Sequence, residues 1–173
     1  MIDTRARIRT AYERSVKALT LRPAMGQGTA VTTVRVRSGM TCDIEDGRWK
    51  LVADVSEKSG GDAAGPDPGV YGRTALGTCL AMSYAKWAVV REVALDGIEV
   101  EVQADYDARG EYGIGDVPPG YLEVRYVVKV ESAAPEADIM AVLDEADRYT
   151  PWLDVFARPQ RIRREVRIMP AAT

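Results

Sequence analysis

The chain has 173 residues, 46% of them apolar and 28% charged, with a formal net charge of -3. That length suffices for one domain with its own core, and the slightly acidic balance speaks against a nucleic-acid partner, which calls for a basic footprint. With no histidine and 2 cysteines, histidine-assisted hydrolysis and imidazole metal ligation are excluded, and neither a metal nor a cofactor is expected.

The opening residues, Met1 to Arg7, lack the apolar stretch of a secretory signal. Residues 3–18 read as a helix, because Ile8, Ala11, Tyr12, Ser15, Val16 and Leu19 recur at helical spacing. Thr29 to Arg37 alternates like a half-buried strand. A second strand follows over Met40 to Glu45, and Asp46-Gly47 signals a hairpin into a third, carrying Trp49, Leu51, Ala53 and Val55. The glycine-rich loop from Ser56 to Pro68 lacks the lysine and hydroxyl pair of a phosphate-binding loop. Asp67 suits a helix N-cap and Pro68 the first helical position.

The helix expected from Tyr71 to Val90 is apolar nearly all round and rich in small residues: Ala75, Gly77, Thr78, Cys79, Ala81 and Ser83. Ser83, Tyr84 and Lys86 keep it short of a bilayer span, so no membrane partner is expected. Such a helix needs cover on every side, which in a small chain implies a second subunit besides its own sheet. Alternation returns at Ile98 and again at Leu122, across an irregular connection holding Pro118-Pro119. A second helix over Pro135 to Tyr149 and a last strand through Ile162, Val166 and Ile168 complete the pattern. The expectation is one α+β domain over residues 1–173, with helices on one face of an antiparallel sheet. A cytoplasmic location, with both thiols reduced at rest, is its default setting.

Cys79 is the strongest chemical candidate, although cysteine is also among the residues most often simply buried. Burial alone keeps a thiol protonated. A helix dipole acts only over its first turn, so a thiolate deep in the helix requires a neighbouring cation.

The run Gly65-Pro66-Asp67-Pro68-Gly69-Val70-Tyr71-Gly72-Arg73-Thr74-Ala75-Leu76-Gly77-Thr78-Cys79-Leu80-Ala81-Met82 resembles the hallmark of the OsmC/Ohr family of osmotically inducible and organic-hydroperoxide-resistance proteins. There a glycine-rich loop and a proline precede a helix whose cysteine stands as far along as Cys79 does from Pro68. Asp96-Gly97-Ile98-Glu99-Val100 is similar to the family's entry into its next strand. The resemblance spans residues 25–169 and leaves residues 1–22 as an N-terminal helical extension. It implies antiparallel sheets around a buried central helix and a second helix, in an intertwined homodimer. It also implies a peroxiredoxin-like stress-response activity: a thiolate takes the distal oxygen of an organic hydroperoxide, and a second cysteine resolves the sulfenic acid.

Two of that machinery's positions differ. The family's resolving cysteine corresponds to Thr150, before Pro151, and its glutamate after the loop proline corresponds to Gly69. Cys42 is an unorthodox substitute for the resolving thiol and reads more readily as a structural residue. Glu57, Asp62 and Asp67 are the available carboxylates, Asp67 being better explained as a cap. The family draws its arginine from the N-terminal strand region, which makes Arg22, Arg35 and Arg37 the candidate thiolate-stabilising cations. Arg73 is nearer in sequence but faces away from Cys79.

Three functions follow. One is a single-cysteine peroxidase in which an external thiol reduces oxidised Cys79. Another is a non-enzymatic homodimer that binds a small hydrophobic ligand, with Trp49, Trp87, Tyr126, Trp152 and Phe156 available as lining. The third is a structural or regulatory dimer.

Overall fold

The computed structural model describes residues 4–170. The expectations placed on residues 1–3 and on residues beyond 170 lie outside them. In chain order the elements are α1 (Thr4–Leu21), β1 (Thr33–Ser38), β2 (Thr41–Asp46), β3 (Trp49–Ala53), α2 (Pro68–Val90), β4 (Gly97–Tyr106), α3 (Ala108–Glu111), β5 (Tyr121–Glu131), α4 (Glu136–Arg148) and α5 (Pro151–Ala157). Strands β1, β2 and β3 form one antiparallel sheet in that order, and β4 pairs with β5 in a second. This is the expected α+β architecture, with its antiparallel strands divided between two sheets, as the resemblance implies, and not gathered into the one sheet that the residue pattern called for.

Helix α2 is the axis of the molecule. Its core side chains Leu76, Leu80, Tyr84, Trp87 and Ala88 meet Val142 and Ala146 of α4. On another flank Gly77 lets β4 approach so closely that a Cβ there would stand 3.2 Å from Val102 Cγ2. Asp67 caps the helix by accepting a hydrogen bond from Val70 N at 2.9 Å, with Pro68 in its first turn. At the far end a carbonyl left over by the helix is met from α1, where Arg9 Nη2 donates to Val89 O at 2.8 Å, and Arg5 Nη2 donates to Val93 O just past the helix at 3.1 Å. Cations suit that negative end of the helix. Tyr12 of α1 meets the edge of Trp87, which stacks on Tyr149 from its other side. The N-terminal helix therefore seals the C-terminal end of α2.

The three-stranded sheet stands apart from this core. Helix α2 packs on α1, β4, α4 and α5, while the sheet is tied in by its loop, where Tyr71 Oη donates to Val52 O at 2.7 Å and Asp54 N to Pro66 O at 3.2 Å. Directly paired residues share a face, so the register sorts the sheet into two chemistries. Val34, Ile44 and Leu51 align on one face, next to Val36, Cys42 and Ala53. Thr33, Glu45 and Lys50 align on the other, next to Arg35, Asp43 and Val52. On the apolar face Val34, Val36, Trp49 and Leu51 are exposed.

Two elements differ from the sequence pattern. Pro151 does not merely interrupt the chain but opens α5 at its first position, where a missing amide hydrogen costs nothing. The strand expected through Ile162 and Ile168 is not formed, and those side chains are 89% and 92% exposed. Alternation prepares a strand, but a strand needs a neighbouring edge to bond with.

Candidate thiol site on the central helix

Cys79 is half-buried on α2, neither sealed in the core nor on the open surface. Side chains four apart share a helix face, so Ser83 marks the flank on which Cys79 lies. Ser83 is buried, and its hydroxyl donates to Ala146 O of α4 at 3.4 Å. The same carbonyl accepts from Thr150 Oγ1 at 2.8 Å. Thr150, fully buried, thus stands at the end of α4 beside the flank that carries the thiol. Ser83 of α2 and Thr150 converge on one carbonyl of α4.

The other sequence candidates lie elsewhere in the chain. Arg35 and Arg37 sit on the polar face of the three-stranded sheet, Arg35 3.7 Å from Glu45 Oε2 and Arg37 in a two-pronged pair with Asp43. That pairing holds the Asp43 carboxyl below its ordinary range and the Arg37 guanidinium above its own. Arg22 precedes the short 3₁₀ turn Pro23–Gly26 on the surface. Cys42 is on the opposite, apolar face of the same sheet, its thiol 3.7 Å from Met40 O. Neither cysteine is in a disulfide. Glu57 opens an exposed 3₁₀ turn, and Asp67 is occupied as the cap.

The loop between β3 and α2 is organised by a residue that the sequence pattern does not single out. Asp54, 2% exposed, accepts hydrogen bonds from Thr41 Oγ1 at 2.9 Å, Val55 N at 2.8 Å, and Asp62 N and Ala64 N at 3.1 Å each. Burial pushes its carboxyl up, but the bonds from Ala64, Thr41, Val55 and Asp62 outweigh that, and the net shift is downward. Gly61 and Gly65 let the loop lie flat, since a Cβ on either would fall onto the carbonyl oxygens of Val55 and Val52. An aspartate at a strand end just before a glycine-rich loop was the available signal.

Gly69 is a second such case. An ideal Cβ there would stand 2.9 Å from Asp67 Oδ1, 3.1 Å from Arg73 Nη1 and 3.3 Å from Tyr121 Oη. Arg73 donates to Tyr121 Oη at 3.1 Å, and Tyr121 donates onward to Gly69 O at 3.2 Å. The space beside position 69 is filled by this guanidinium and phenol.

A third unforeseen cluster braces α2. Tyr84 and Tyr126 both donate to the Asp147 carboxylate, at 2.7 and 2.9 Å. Burial first, then the bond to Asp147, raises both phenols, Tyr126 to about 12. Of the other aromatics considered as pocket lining, Trp49 is on the outer sheet and Trp152 faces Phe156 within α5. Trp87, Tyr126 and Phe156 belong to the core cluster around α2, and neither the groove beside Gly77 nor the one beside Arg91 has an aromatic wall.

The family model described as OsmC-like protein matches residues 60–165. No curated protein matches the sequence significantly. Among solved structures, the chain is similar to an OsmC-like protein from Mycoplasma pneumoniae, with TM-score 0.64 and 13% identity over 76% of this chain and 89% of that one. A protein from Psychrobacter arcticus, described as a putative osmotic stress induced and detoxification response protein, gives TM-score 0.59 and 15% identity over 75% and 89%. An organic hydroperoxide resistance protein OsmC from Legionella pneumophila gives TM-score 0.54 and 13% identity over the same shares. At such identities the likeness is one of fold. Among the described residues no helix is long and apolar enough to cross a membrane, and no group of side chains is arranged to hold a metal.

Proposed function

Because this chain belongs to the OsmC-like protein family, we propose that it is a single-cysteine thiol peroxidase acting on organic hydroperoxides through Cys79. The observation that carries this reading is a Cys79 that is neither in a disulfide nor fully buried, one helical turn before Ser83, which shares the Ala146 carbonyl with buried Thr150. In this reading small molecules reach the thiol, and the position matching the family's resolving cysteine holds a hydroxyl.

The chemistry balances with one protein sulfur. The Cys79 thiolate attacks the distal oxygen of the hydroperoxide, an S–O bond forms, and the O–O bond breaks. The alkoxide takes a proton and leaves as the alcohol, and the sulfur, oxidised by two electrons, becomes a sulfenic acid. An external thiol then attacks that sulfur and expels water. A second thiol displaces Cys79 from the mixed disulfide, returning the free thiol and releasing an oxidised reductant.

The working unit in this proposal is a homodimer. A second copy covers the outward apolar face of β1, β2 and β3, whereas Arg35 and Arg37 lie on the opposite face of that sheet, paired with Glu45 and Asp43. Arg22, just after α1, is the remaining candidate cation for the thiolate.

A rival reading is a ligand-binding dimer without peroxide chemistry. It is favoured by Gly69, whose surroundings leave no room for a carboxylate. The two separate on turnover of cumene hydroperoxide with dithiothreitol as reductant. The proposal predicts consumption that depends on both reagents and is abolished by Cys79→Ser but not by Cys42→Ser. Equal rates for the wild type and Cys79→Ser would overturn it.

A further inference from the structure

We propose that the groove between α2 and β4 binds a small organic anion, a monocarboxylate with a short apolar chain, through the Arg73 guanidinium. This goes beyond the thiol chemistry and does not rest on it. The groove is lined by Arg73, Thr74, Gly77, Thr78, Val100 and Val102, is open to solvent, and has a volume of about 390 Å³. That falls within the roughly 300–1,000 Å³ typical of small-molecule sites. Gly77 and Ala81 each lie two positions from Cys79, and side chains so spaced do not face each other on a helix. The groove is therefore on a different flank of α2 from the thiol.

The charge pattern points to an anion. Arg73 is half-buried, and its hydrogen bond is to the neutral phenol of Tyr121. No carboxylate of the described residues is within ion-pair distance of it, although eight other arginines of the chain are so paired: Arg9, Arg35, Arg37, Arg91, Arg109, Arg125, Arg158 and Arg167. Asp67 is the nearest acid in sequence, and it is committed to capping α2. A partly desolvated guanidinium without a counter-ion is an unfavourable arrangement that a carboxylate relieves, with two parallel hydrogen bonds where the geometry allows. Beyond Arg73 the walls are Ala81, Val100 and Val102, the bare backbone of Gly77, and Thr74 and Thr78, none of them charged, so the surface suits a short hydrocarbon chain and not a second charge. Gly69 keeps the cation in place, because a Cβ there would stand 3.1 Å from Arg73 Nη1.

The experiment is calorimetric titration of the full chain with sodium octanoate and, separately, with 1-octanol. Octanoate should bind about tenfold or more tightly than the neutral alcohol, the margin that charge-assisted hydrogen bonds supply. Arg73→Gln should erase that margin, and Val102→Trp, which fills the groove and keeps the arginine, should abolish octanoate binding. Tyr121→Phe removes the phenol but leaves the charge, and should retain binding. Cys79→Ser should bind octanoate as the wild type does, so this test and the peroxide test fail independently. Equal affinity for acid and alcohol in the wild type, no octanoate binding at millimolar concentration, or binding unchanged by both Arg73→Gln and Val102→Trp overturns the proposal.

Discussion

Thr150 shows how one atom redirects a site. Its hydroxyl donates to Ala146 O, the same carbonyl that Ser83, one helical turn after Cys79, reaches from α2. Thr150→Cys should accordingly restore a two-cysteine site. Treatment with one equivalent of cumene hydroperoxide should then give an internal disulfide to Cys79, seen as a mobility shift on non-reducing gels and absent after further substitution of Cys79. A sulfenic acid that persists beside the new thiol would place the two positions too far apart. Tyr84, 1% exposed, supplies a second residue-level test through its bond to Asp147. Tyr84→Phe should cost about 1.5–3 kcal/mol in urea unfolding, the usual worth of a hydrogen bond to a charged group. A loss within error would mean that the carboxylate finds water instead.

At the scale of elements, the loop from β3 to α2 depends on one carboxylate. The folded Asp54 sits below its ordinary range, so its contribution to stability is present above the unfolded value, near 3.9. That contribution is lost as pH falls through the lower folded value. Melting temperatures of the wild type and Asp54→Asn should therefore differ most at neutral pH and converge on strong acidification. A gap that stays constant from pH 7 to pH 3 contradicts this role. The start of α2 could be read in advance, because a cap is local: Asp67 and Pro68 carry their own instruction. The Asp54 cluster could not, since Thr41 reaches it from another strand. Arg73 carried a partial signal as one of only two charges in a long apolar helix, but its place in a groove depends on Tyr121 and on the close approach of β4. The strand expected through Ile162 has the right alternation, and alternation says nothing of which edge receives it.

For the whole molecule, the alternation of β1, β2 and β3 foretold a half-buried sheet, yet within one chain its apolar face is open. The residue pattern specifies that a face is apolar, whereas its cover depends on what the assembled protein places against it. Our proposal of a homodimer makes this face an interface. Light scattering coupled to size exclusion should give twice the chain mass, and Leu51→Glu, which puts a charge among Val34 and Ile44, should shift the population towards single chains. A wild type of single-chain mass at micromolar concentration would contradict it.

The central claim is that one sulfur performs the oxidation without a protein partner. Peptide mass mapping after one equivalent of cumene hydroperoxide, with dimedone present, tests it most directly. The account predicts a dimedone adduct on the peptide that contains Cys79, with Cys42 unmodified and no disulfide between them. Intact hydroperoxide with Cys79 unmodified, or a disulfide joining Cys42 to Cys79, would contradict it.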